Sequence, residues 1–329
     1  MTTFLAILTP LLTLFFCIAV GFVSRKTNIL SDDAGKTMAK MENWIFCPAL
    51  SFMTMVRFCT IPALTTHATN VIMAAIAVTV SLVIAIPLSR MFVKENNSER
   101  GVYSYALAFA NYGYMGDPLV LALFGDGVLA YYKFFTLPLS LVIYTWGVSV
   151  LTPKNEANNS TLKRLINAPT LGLLAGIAVG LSGLGKYLPE FVVSALDTLK
   201  ACMGPVAMLL AGVTIAKYDI LGMLKNKKVY LATALRLAAI PTVIVSVLFG
   251  LKEFANFAFS LNIGNDVLFL AFFATATPLG LNTIVFPETY GGNPETGASM
   301  AMISHALCVI SIPLLYALMT AIFGSPFGI

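Results

Sequence analysis

Charge is what this sequence has least of. Aspartate, glutamate, lysine and arginine make up 11% of its 329 residues, against about a quarter in a soluble domain, so an ordinary water-facing surface is excluded. Long polar stretches are scarce too. The longest obvious one covers residues 153–164 and leaves no room for a soluble domain. Five cysteines, Cys17, Cys47, Cys59, Cys202 and Cys308, form an odd set with no C-x-x-C pair, and four of them fall inside apolar runs. They read as structural residues without a redox role. Catalytic signatures are missing as well: there is no H-E-x-x-H and no serine in G-x-S-x-G. The G-x-G-D of intramembrane aspartyl proteases fails because Tyr114, and not a glycine, stands three places before Asp117 in Tyr114-Met115-Gly116-Asp117, and the Tyr218-Asp219 pair lies in a basic loop. An enzyme is therefore not expected. Basic residues are also absent ahead of the first apolar run and appear only after it, at Arg25 and Lys26. That order favours a retained span over a cleaved signal peptide.

What is abundant is hydrophobicity, at 58% of residues with a mean hydropathy of +0.86. A hydrocarbon core about 30 Å thick takes about 20 helical residues. Ten apolar runs of spanning length can be read, at residues 4–23, 36–57, 68–92, 101–125, 128–151, 165–184, 190–216, 228–250, 265–289 and 297–323. The expectation is an all-α, multi-pass membrane protein whose partner is the lipid bilayer.

Lysine and arginine orient it. The loops after spans one, three, five and seven hold Arg25, Lys26 and Lys36; Arg90, Lys94 and Arg100; Lys154, Lys163 and Arg164; and Lys217, Lys225, Lys227 and Lys228. The opposite side, with both termini, holds only Arg57, Lys133, Lys186 and Lys252, while Lys40, Lys200 and Arg236 are left within spans. Both termini are expected outside the cell membrane. The net charge of +5 is then explained by membrane orientation, and no nucleic-acid partner is expected.

Five spans fall on each side of the basic linker, giving residues 1–152 as a first repeat, 153–164 as a cytoplasmic linker and 165–329 as a second repeat. An odd number of spans inverts the second repeat relative to the first. FCPALSF (46–52) in span two is echoed by MGPVAML (203–209) in span seven. Spans four and nine are the most interrupted, by NYGYMGDP and by TATPLGLNTIVFPETYGG. Matched interruptions in two halves point to a transporter's binding site. Unwound backbone survives at membrane depth only when buried in protein or lining a polar cavity, and the half-helix N-termini it creates attract anions. Taken singly, each interruption also fits a proline kink with glycines for close packing.

The motifs resemble those of the auxin efflux carrier family, related more distantly to the bile acid sodium symporters. Asn111, Gly113, Gly116 and Pro118 match its N-x-G-x-x-G-x-P pattern. Pro278, Pro287-Glu288-Thr289-Tyr290 and Pro313 resemble its span-nine pattern, and Pro48-Ala49-Leu50 and the small residues after Pro205 also fit. Asp117 and Pro287 depart from the family pattern, which has an apolar residue and an alanine there. The resemblance implies crossed, broken helices four and nine, a scaffold that can pair as a homodimer, and an elevator-type carrier of a small organic anion, most simply a carboxylate. The substrate site so implied comprises Asn111, Gly113, Gly116, Pro118, Pro278, Asn282 and Thr283, with the two asparagine amides on the carboxylate. A sodium-coupled symporter of the bile acid type, for a larger amphipathic anion, and an anion channel stay open as alternatives.

Asp117, Glu42 and His305 are the candidates for ion coupling, to a proton or to sodium; no other cofactor is expected and no metal-ligand set is recognisable. Asp117 can instead cap the next half-helix. Asp197 and Lys200, three apart on one helix face, are expected to pair. Arg236 is expected to snorkel or to meet a loop carboxylate, and His67 to sit in a loop.

Overall fold

The computed structural model describes residues 2–95, 98–151, 168–290 and 294–328. The linker expected at 153–164, with Lys154, Lys163 and Arg164, lies outside the described residues.

Among the described residues the regular structure is helical, with one isolated antiparallel bridge between Ala110 and Leu279. The chain opens with α1 (Thr2–Lys26). Next come α2 (Ala34–Met41) and α3 (Cys47–Phe58), joined by a π turn over Glu42–Phe46 into one continuous rod. Helix α4 (Ile61–Phe92) starts at Thr60, whose hydroxyl accepts from the Ala63 amide at 3.3 Å. The expected fourth span is split between α5 (Ser98–Ala108) and the start of α6 (Asp117–Val142), with a π turn at Tyr112–Gly116 between them. A π turn at Ile143–Gly147 and α7 (Val148–Leu151) end that half. The second half holds α8 (Ala168–Ser182), α9 (Glu190–Ile215), α10 (Ile220–Leu224), α11 (Lys227–Ala234) and, after a π turn at Leu235–Ala239, α12 (Ile240–Phe259). The expected ninth span is α13 (Asp266–Ala276) and α14 (Asn282–Tyr290), and α15 (Pro294–Phe323) follows. Among the described residues, six helical stretches are long and apolar enough to cross a membrane, and Ala168–Ser182 and Asp266–Ala276 are shorter apolar helices.

Three of the π turns have one cause. Each ends two residues before a proline, Pro48, Pro118 or Pro241. Proline has no amide hydrogen and its ring crowds the carbonyl four residues back; one inserted residue widens the helix and relieves that contact.

Inside α6 the chain reverses at Gly125, whose φ of 78° and ψ of −177° are open only to glycine. Asp117 and Lys133 stand eight residues before and eight after it, so the reversal lays them side by side. Lys133, expected on the outer surface, is instead 8% exposed within the helix, which removes one basic residue from the side already poor in them. His67, expected in a loop, lies in α4, buried, with its ring 4.0 Å from that of Tyr131.

Packing divides the helices into two groups. In the first, α1 lies along α9 and α8 along α3. Glycines let the backbones touch: a Cβ on Gly21 would come within 2.2 Å of the Leu209 carbonyl oxygen, and one on Gly176 within 2.6 Å of that of Phe52. In the second, α4 packs on α5, α6 and α12 around buried aromatics, including the Phe92–Tyr103 stack at 4.8 Å. Asp197 does not pair with Lys200. Asp197 meets Arg57 at 2.5 Å, Lys200 meets Asp126 beside the Gly125 corner, and Arg57 reaches Asp126 at 3.6 Å. Partners on other helices outcompete the neighbour three residues along, because that neighbour offers only a weak surface-type pair.

Candidate functional site

The first interruption, residues 109–111, falls ahead of Pro118, which occupies the first turn of α6; the second, residues 277–281, contains Pro278. Backbone groups freed by these breaks are satisfied within the protein, as burial requires. The Asn111 amide donates to the Pro278 carbonyl at 2.6 Å, tying one break to the other. The Ser81 hydroxyl donates to the Ala108 carbonyl at 2.6 Å, and Arg236 Nη1 to that of Leu107 at 3.3 Å. The Leu279 amide donates to Ser304 Oγ at 3.2 Å, and the Thr283 hydroxyl to the Gly280 carbonyl at 3.0 Å. Arg236 thus neither snorkels nor meets a carboxylate. It is 2% exposed and serves the open C-terminal end of α5, the negative end of that half-helix.

A cavity of about 90 Å3 lies against both breaks, ample for several waters on a scale where about 10–15 Å3 holds one. Asn111 to Tyr114 and Gly280 to Asn282 form one wall. These segments include the N-terminal turns of the two downstream half-helices, the ends that carry partial positive charge. Lys133, Thr136, Leu137, Ser140 and Leu141 form the stripe of α6 that faces them, and Asn43, Cys47 and Ser51 come from the α2–α3 rod. Thr170 and Leu173 of α8 and Met203 of α9 complete it.

Of the residues expected at a substrate site, Asn111, Gly113 and Asn282 line this cavity. The Asn111 amide nitrogen lies 3.4 Å from His305 Nε2, and His305 Nδ1 lies 2.7 Å from the Ala301 carbonyl. With Nδ1 donating to that carbonyl, Nε2 is left to accept from Asn111. Asn282 Nδ2 donates to the Tyr105 hydroxyl at 3.0 Å. The other four support the wall from behind: Gly116 packs under Tyr132, Pro118 against Gly204, Pro278 supplies its carbonyl, and Thr283 is buried on its own turn.

Among the ion-coupling candidates, Asp117 lines the cavity, is fully buried and contacts Lys133 through Oδ2. Its carboxylate makes no cap on α6, contrary to the capping alternative. Glu42 is fully buried in its π turn, neither carboxylate oxygen has a hydrogen-bond partner, and it does not line the cavity; the neighbouring Asn43 does, and accepts from the Tyr114 hydroxyl at 3.0 Å. Sequence reasoning missed Lys133, Cys47 and Ser140. A lone lysine in the apolar run VLAYYKFFTLPL (128–139) was the available signal for the first; Cys47 and Ser140 gave none.

Helices of spanning length around a polar cavity, with two broken segments joined at its wall, make this a multi-pass membrane protein with the build of a transporter. A family model described as "Membrane transport protein" matches the chain twice, over residues 6–161 and 157–316. The chain belongs to that family, the auxin efflux carrier family. No curated protein matches it.

Proposed function

We propose that the protein is a secondary carrier that moves a small organic anion, most simply a carboxylate, across the cell membrane through the cavity at the two breaks. One observation carries the reading: the Asn111 amide bonded to the Pro278 carbonyl, which gathers two half-helix N-termini, the Asn111 and Asn282 side chains and the Lys133 ammonium around one small space. Helix N-termini and an ammonium attract a carboxylate, and side-chain amides fix its orientation.

Ten spans in two inverted repeats accord with the double family match. They also accord with the reciprocal packing of α1 on α9 and α8 on α3, since an inverted repeat exchanges the first and second spans of one half with those of the other. The group holding α1, α3, α8 and α9 suits the role of scaffold and the group around both breaks that of a moving elevator, with both termini outside by the distribution of basic residues. In that orientation Pro169 and Thr170, which line the cavity, belong to the cytoplasmic end of α8, and the Arg57, Asp126, Asp197 and Lys200 cluster lies toward the outer side.

The test is uptake into proteoliposomes of radiolabelled acetate, lactate, malonate and succinate, with counterflow from preloaded vesicles. Saturable uptake of at least one, accelerated by the same anion on the far side, is expected. Flux that never saturates would replace the carrier with a channel, and no flux of any carboxylate would remove the reading.

A further inference from the structure

An anion site alone does not account for the buried pair of Asp117 and Lys133, and a role for this pair rests on the carboxylate-carrier reading. The side chains are 0% and 9% exposed, they touch through Asp117 Oδ2 and Lys133 Nζ, and both line the cavity. The second oxygen, Oδ1, is buried with no hydrogen-bond partner. As it stands the pair is neutral. An anion drawn to the ammonium would leave one net negative charge in a site of low dielectric, which is strongly opposed. Neutrality returns only if one positive charge enters with it. A proton fits on Oδ1 without moving any other group. Sodium, which needs several oxygen donors, would have to lie against the ammonium.

We infer that Lys133 is the cationic anchor of the substrate and that Asp117 releases it by taking up one proton, so that a monocarboxylate and a proton occupy the cavity together. The proton comes from water and forms an O–H bond on Asp117, whose carboxylate becomes a carboxylic acid. Lys133 keeps its charge, and the substrate carboxylate replaces Asp117 against Nζ. The pair is neutral before; pair and substrate together are neutral after. Cys47 of α3 and Tyr132 of α6 face the pair, Tyr112 of the π turn, on the cavity wall, stands beside Tyr132, and Glu42 stands near Cys47. Tyr112 is engaged with Ser140 at 2.7 Å, and Tyr132 donates to the Tyr112 carbonyl at 3.2 Å. His67 of α4 meets other residues of α6, stacking on Tyr131 and Phe134. The cavity residues of α8 and α9 are Thr170, Leu173 and Met203, none of them charged.

The experiment titrates the purified full-length protein with acetate and lactate, and with succinate for contrast, reading thermal stabilisation across pH in sodium and in potassium. For the wild type, the apparent Kd for lactate is expected to fall about tenfold for each unit fall in pH on the alkaline side, the slope of one proton per anion. Sodium should make no difference. Asp117→Asn should still be stabilised by lactate, now without pH dependence, and Lys133→Met should lose the response altogether. Where Asp117→Asn alone does not fold, the double variant D117N/K133M, which removes both charges of the pair, serves as the folded control. The wild-type slope and Lys133→Met then decide. Glu42→Gln should keep the slope. A lactate response that ignores pH, follows sodium, keeps its slope in Asp117→Asn or survives Lys133→Met overturns this inference and leaves the carrier reading standing. No response to any carboxylate in the wild type overturns both.

Discussion

At the scale of single residues, tolerance and function separate at two glycines of one turn. A Cβ built on Gly116 meets the Tyr132 hydroxyl oxygen at 2.3 Å, the tip of a side chain, before any backbone atom. Gly116→Ala should therefore lower stability by about 1–3 kcal/mol through overpacking. Tyr132→Phe alone should cost about 1 kcal/mol, since its hydroxyl donates to the Tyr112 carbonyl. The double variant should be more stable than the sum of the two, because the clash has lost its atom; thermal denaturation of the four proteins makes the cycle. Gly113 is the opposite case, with nothing within 4 Å of its Cβ and a place on the cavity wall. Gly113→Ala should keep or raise stability by up to about 1 kcal/mol, while its methyl takes cavity space and weakens lactate uptake. The site was half legible at this scale. Asn111 and Asn282 stood out because polar side chains beside glycine and proline are conspicuous in an apolar run. Lys133 did not, because positive-inside reasoning takes any lysine near a span end for a loop residue, and only the glycine-only reversal at Gly125 turns it toward Asp117.

At the scale of helices, the glycines of α8 recur every fourth residue, at 172, 176 and 180, on the face toward α3. Built Cβ atoms there come within 2.8 Å of the Pro48 carbonyl oxygen, 2.6 Å of that of Phe52 and 2.5 Å of that of Met55. Backbone cannot step aside as a side chain can, so Gly176→Val should prise the two helices apart. We expect a fall in melting temperature larger than that of Gly116→Ala, with no rescue by trimming a side chain of α3. Apolar runs located the helices well, since hydrocarbon demands length and hydrophobicity and little else. The stretch NYGYMGDP puts the interruption of span four at 111–118, whereas the unwound residues are 109–111. A proline at the start of a half-helix fits there without breaking anything, and the break belongs to the residues before it, of which Asn111 is conspicuous while Phe109 and Ala110 carry no signal of their own.

At the scale of the whole molecule, the division into two helix groups puts weight on the few polar contacts between them. Asp126, at the Gly125 corner, reaches Arg57 and Lys200 on helices of the other group. These side chains are 9–35% exposed, so each pair contributes no more than about 1 kcal/mol. In the elevator proposed above, Asp126→Asn should thus shift the balance of inward- and outward-facing forms by about two- to fivefold without unfolding the protein. Cys47 is a native reporter because it lines the cavity. Its alkylation by a membrane-impermeant maleimide from the cytoplasmic face should slow by that factor in Asp126→Asn, should slow further with lactate, and should vanish in Cys47→Ser. Unchanged labelling would place the closure of the outer side elsewhere.

The close approach of α8 to α3 also bears on what the protein must refuse to pass. A carrier driven by an ion gradient, as proposed above, is useful only if its walls are tight, since a single file of water along a helix seam is enough to short-circuit the membrane. Where carbonyl oxygens sit so near a facing glycine that even a methyl group has no space, no such file can form. In the carrier proposed above, the small residues along this seam would insulate the membrane, and a variant that parts them is expected to dissipate the gradient before it stops carrying its cargo.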